Sequence, residues 1–168
     1  VGVGGKKFSK VRTINQIIDH WIRLEHYTKE EYSFLAEGTK NPHARIVFTR
    51  LACAGECHAN ILKHVKNILA KEGENFQPVK AFHLTDIPTP GKKQGYPTEV
   101  EETYHAIKGH VKLEQEMERG YTRIRPKIRS RKAKTLFQVL AEEEKQHHQQ
   151  LLALIQVFEK IYKSLLKK

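Results

Sequence analysis

Glu144 and His147 stand three positions apart, so on a helix a carboxylate and an imidazole lie one turn apart on one face. That face otherwise carries Phe137, Leu140, Ala141, Leu151 and Ile155. A carboxylate on a core-facing stripe is costly unless it is paired, protonated or bound to a cation. Glu25 and Glu114 occupy similar apolar stripes, and each precedes a histidine, His58 or His147, by 33 residues. Together these five residues are a candidate metal-binding set, because Glu-x-x-His is the element from which helical bundles build two-metal carboxylate sites. The bland readings are that the acids are solvated, that the histidines only fill the core, or that the site is inherited and holds no metal.

The chain also repeats itself. Sliding it by 89 residues places Leu24 on Leu113, Glu25 on Glu114, Tyr32 on Tyr121, Phe48 on Phe137, Leu51 on Leu140, His58 on His147 and Leu62 on Leu151. Between 22–65 and 111–154, 9 of 44 aligned pairs are identical, against roughly 3 expected from ordinary residue frequencies. The agreement includes a glutamate, a tyrosine and a histidine inside otherwise apolar faces, where a purely hydrophobic repeat would place leucines.

Four helices must position these groups. Ile14, Ile18, Trp21, Glu25, Thr28, Tyr32 and Leu35 recur at three- and four-residue steps and predict a helix from roughly 12 to 38. Asn41 and Pro42 form a cap and first turn for a second helix, inner face Ala44 to Val65, that Gly73 ends. Residues 73–98 hold four prolines and three glycines and read as a crossover. Thr98 and Glu101 form a capping box for a third helix, with Val100, Ile107, His110, Glu114, Met117, Tyr121 and Ile124 inward. A fourth helix starts near Ser130 and extends its stripe through Phe158, Tyr162 and Leu165. The expected fold is an all-α, ferritin-like four-helix bundle in one domain over 1–168: hairpin 1 at about 12–72, crossover 73–98, hairpin 2 at about 98–166.

The motif Phe137-Gln-Val-Leu-Ala-Glu-Glu-Glu-Lys-Gln-His147, with the Glu114 to Tyr121 step before it, resembles the rubrerythrin branch of the ferritin-like superfamily. The likeness spans about 14–160. In hairpin 1 the corresponding phrase, Leu51-Ala-Cys-Ala-Gly-Glu-Cys-His58, has Gly55 where that family carries a bridging glutamate, and Met117 stands where it tends to carry another. Glu56 does not substitute, since one residue is a rotation of about 100°. The resemblance implies iron-dependent reduction of peroxide or dioxygen in oxidative defence, an oxidoreductase fed by a separate electron donor protein because the sequence has no rubredoxin-type cysteines. It implies two iron ions, or one if the Gly55 half is empty, with manganese or zinc also compatible with the ligands. Three carboxylates against two ferrous ions leave the site one negative charge short. The position near Glu25 and His58 is therefore expected to be the weaker, and a Gly55→Glu replacement to be accommodated, glutamate being the better helix former.

Tyr32 and Tyr121 are candidates to hydrogen-bond ligand carboxylates. His110, one turn before Glu114, is either a further ligand or a packing and supporting residue. Cys53 and Cys57, the only cysteines, fall on the opposite face of the second helix and suggest no disulfide framework. The cysteines point to a reducing interior, so a cytoplasmic protein is expected; with no run of about 18 apolar residues no membrane association is expected, and the chain is expected to act as a homodimer. The formal charge is +11, and Arg123, Arg125, Lys127, Arg129, Arg131, Lys132 and Lys134 place seven cations within 12 residues around the second hairpin's tip. That tip is a solvated loop or a phosphate-binding patch. The alternative function is accordingly a catalytically silent ferritin-like binding protein whose basic tip contacts nucleic acid or another acidic partner.

Overall fold

The computed structural model describes residues 11–88 and 100–165. Thr13 opens the first helix: its hydroxyl accepts the Gln16 N–H at 3.2 Å while the Gln16 side chain accepts the Thr13 N–H at 3.0 Å. This reciprocal pair satisfies donors that a helix start leaves unpaired. Helix α1 runs Ile14–Gly38. It begins two residues later than its periodicity suggests, because Arg12–Thr13 (β1) is extended and pairs antiparallel with Pro78–Val79 (β2). Helix α2, Pro42–Lys71, is capped by Asn41, whose side chain accepts the Ala44 N–H at 3.0 Å. Past its end Gly73 takes φ +70°, where a side chain would be strained.

Helix α3 covers Val100–Ile124, a 3-10 turn follows at Arg125–Lys127, and α4 covers Arg131–Leu165. Residues 73–88 contain no helix. The rest of the crossover, 89–99, and the capping box at Thr98 lie outside the described residues, as do the side chains of Tyr162 and Leu165. Glu74 ties the halves together: its buried carboxylate accepts the backbone N–H groups of Arg129 at 2.7 Å and Ser130 at 2.8 Å. An anion is thereby held against the amino end of α4, where the helix dipole favours it.

The result is an all-α four-helix bundle of two antiparallel hairpins, with the two-residue β1–β2 ladder as its sheet content among the described residues. Its apolar core divides into two clusters. One, at the start of α1, is centred on Trp21, whose ring meets Tyr121 edge-on at 4.8 Å and Phe82 and Phe137 at 5.8 Å. The other, at the far end, gathers Tyr32, Phe48, Ile107, Leu151 and Phe158. The expected inner faces of α1 and α2 are buried throughout. On α4 the stripe drifts, so that Leu154 is buried where Ile155 is only partly so. Between the two apolar clusters lie the carboxylates and imidazoles.

Candidate metal centre

Each helix sends one or two polar side chains into the middle of the bundle: Glu25 from α1, His58 from α2, Glu114 from α3, Glu144 and His147 from α4. Four are almost wholly buried; His147 is slightly open. Glu144 sits at the centre. Its Oε1 lies 2.8 Å from His58 Nδ1 and its Oε2 lies 3.1 Å from His147 Nδ1. The same nitrogen of each histidine also faces its own hairpin's acid, with Glu25 Oε1 at 3.4 Å from His58 Nδ1 and Glu114 Oε2 at 3.7 Å from His147 Nδ1. Two half-sites thus share one carboxylate, and the imidazole rings stack between them with centroids 5.3 Å apart.

The tyrosines cross over. Tyr32 of hairpin 1 donates its hydroxyl to Glu114 of hairpin 2, and Tyr121 of hairpin 2 donates to Glu25 of hairpin 1 at 2.6 Å. Burial, with the neighbouring glutamates, holds both phenols protonated well above their ordinary range. They are fixed donors. His110 takes no part in the cluster. Its ring packs at a tilt against Tyr32 with centroids 4.6 Å apart, and burial, only partly offset by Glu114 and Glu31, lowers its pKa. The repeat explains its place: His110 is the counterpart of Trp21, which packs on Tyr121 in the other half.

The acids of the cluster favour the protonated forms of both histidines. Burial opposes charge on His58, yet the hydrogen bonds and fields of Glu144 and Glu25 push it up to about 12. For His147 the same opposition between burial and the pair Glu114 and Glu144 ends at about 9. Burial raises both carboxyls of the Glu114–Glu144 pair, but their other neighbours drive the two apart, with Glu144 the more readily protonated. It is pushed well up by burial and the charges of Glu114 and Glu25, while donors from Glu144, His147 and Tyr32 bring Glu114 down to about 2.

A metal fits this donor set. His58, Glu144 and His147 each offer an atom within 4.8 Å of the others, and both imidazoles aim Nδ1 inward at carboxylate oxygens. A divalent cation would take the place of those protons with ligands that iron, manganese and zinc all accept.

The two oxygens of Glu144 divide between the histidines, and each histidine keeps the glutamate of its own hairpin nearby. Space at Gly55 is tighter than helix propensity alone implies: a Cβ there would lie 3.1 Å from the Glu25 carbonyl oxygen and 3.3 Å from Lys29 Cβ, so the glycine lets α2 pass close to α1. Glu56 points away from the centre and pairs with Lys29 on the surface. Periodicity does not single out Glu143, yet its Oε2 lies 2.6 Å from His58 Nε2. Only the three successive glutamates, 142–144, hint at it in the sequence. Cys53 and Cys57 are exposed on α2. The basic residues surround the tip of hairpin 2, with Arg123, Lys127, Arg129, Arg131 and Lys132 exposed and Arg125 and Lys134 partly so. Arg123 lies over the Phe82 ring at 5.5 Å.

A ferritin-like bundle with a buried carboxylate–histidine cluster is the class of protein that this fold and centre define. The Rubrerythrin family profile matches residues 17–155, and the chain belongs to that family. A hypothetical protein from Pyrococcus furiosus shares the fold with a TM-score of 0.70 at 17% identity, over 88% of this chain and 91% of that one. No curated protein matches the sequence. Among the described residues no helix is long and apolar enough to cross a membrane.

Proposed function

We propose that the chain is an iron-binding oxidoreductase of oxidative defence that reduces peroxide or dioxygen, with Glu25, His58, Glu114, Glu144 and His147 as ligands. The observation that carries this reading is the division of Glu144 between two histidines, each flanked by its own glutamate, in an otherwise apolar bundle. Bound iron would supply the electrons, passing between ferrous and ferric states. Tyr32 and Tyr121 keep Glu114 and Glu25 oriented, and the two apolar clusters shield the centre from both ends. The electron donor would lie outside this bundle, whose two cysteines cannot furnish a four-cysteine carrier.

Elemental analysis of protein purified without added metal tests the reading, with Glu144→Gln as its partner. The parent should carry iron, and Glu144→Gln should lose metal from both positions together while its helix content stays intact. Iron-free protein that also fails to take up ferrous ion would overturn the proposal. The exposed cations at the tip of hairpin 2 support a second reading, a catalytically silent bundle that binds nucleic acid or another polyanion there; metal-free protein with salt-sensitive polyanion binding is its signature.

A further inference from the structure

We propose that Glu143 is a positioning residue that supplies, through His58, the negative charge the centre lacks at Gly55. This rests on the reading of the cluster as a metal centre. His58 is spanned on both sides: Nδ1 faces Glu144 at 2.8 Å and Glu25 at 3.4 Å, and Nε2 lies 2.6 Å from Glu143 Oε2. A carboxylate on the outer nitrogen fixes the ring's rotation and tautomer, keeping Nδ1 toward the centre, and makes the imidazole a stronger donor.

Charge balance supports the role. Glu25, Glu114 and Glu144 bring three negative charges to a centre that would need four to balance two divalent ions, and Glu143 is the fourth carboxylate within one hydrogen bond of a ligand. Its own side chain is 45% exposed, so its charge is solvated and avoids the cost of a fourth buried acid. The arrangement is one-sided. The residue equivalent to Glu143 in hairpin 1 is Ala54, which has no carboxylate to offer His147. Hairpin 1 thus lacks an internal carboxylate at Gly55, and hairpin 2 backs hairpin 1's histidine from outside.

Cobalt(II) titration of the full chain, followed by bound-metal counting and by the paramagnetically shifted ring N–H resonances of the two histidines, tests this. Glu143→Gln should weaken cobalt binding about 10- to 100-fold and displace the His58 ring resonance while leaving that of His147 in place. Glu143→Asp should restore part of both, and Glu142→Gln, one residue away, should change neither. Unchanged affinity and an unchanged His58 resonance in Glu143→Gln would overturn the inference alone. A parent that takes up no cobalt would overturn the metal-centre reading and this inference with it.

Discussion

Hairpin 1 and hairpin 2 share one pattern and differ where it matters for chemistry. Both place a glutamate, a tyrosine and a histidine at matched depth, and the tyrosine of each bonds the glutamate of the other. At the position that differs, hairpin 2 carries Glu144, which serves both histidines, whereas hairpin 1 carries Gly55, which brings α2 close against the α1 backbone. Close helix packing and a core-facing carboxylate compete for the same space, and in hairpin 1 the packing takes it. The difference shows how one half of a repeat can lack a polar group when its mate reaches across to both histidines.

The comparison is most sharply tested at Gly55. Gly55→Glu should destabilise the metal-free protein by about 3 kcal/mol and Gly55→Ala by about 1 kcal/mol, overpacking against Glu25 and Lys29 outweighing the gain in helix propensity. Gly109→Ala, where a Cβ meets nothing within 4 Å, should instead gain roughly 0.5–1 kcal/mol. Denaturant melts of the three variants decide it; stabilisation by Gly55→Glu would mean that the helices part readily and that packing does not exclude a carboxylate there.

The crossed tyrosines test whether the halves are still equal where they match. Tyr32→Phe and Tyr121→Phe should each cost about 1.5–3 kcal/mol, the range for a hydrogen bond to a charged group. Their costs should agree within about 0.5 kcal/mol, well inside that range. A large gap between the two urea midpoints would break the symmetry at this level.

Protonation should tell the histidines apart. For both, the folded pKa lies above the unfolded value of about 6.5, so their contribution to metal-free stability is complete below that pH and is lost as pH rises, first through about 9 for His147 and then toward about 12 for His58. Ring resonances followed by NMR in metal-free protein should titrate in that order. Metal uptake at neutral pH should release protons, its affinity rising roughly tenfold per pH unit for each proton displaced. His58 titrating before His147 would contradict the arrangement described.

The smallest effect concerns the two tips. Residues 123–134 hold seven cations and no acid, while the equivalent stretch, 34–45, mixes Lys40 and Arg45 with Glu37. Neutralising Arg129, Arg131 and Lys132 should flatten the salt dependence of polyanion binding by roughly one slope unit for each phosphate that no longer meets a cation. Neutralising Lys40 and Arg45 should leave the slope alone. Equal effects at both ends would reduce the tip of hairpin 2 to a share of the overall +11 charge.

Four helices, the cap at Asn41 and the five polar residues of the centre were all legible in the sequence, because they follow from periodicity, capping chemistry and an internal repeat that are local or self-referential. Rotation about a helix was enough to send Glu56 and the cysteines outward. What lay beyond reach depends on how one hairpin sits against the other. Only the packed bundle places the two oxygens of Glu144 on different histidines, crosses Tyr32 and Tyr121 between halves, brings Glu143 to the outer nitrogen of His58, and closes α2 onto α1 at Gly55. A repeat states which positions correspond, but the meeting of non-equivalent positions of two hairpins is set by the angle and distance at which the helices cross, and no spacing along the chain encodes it.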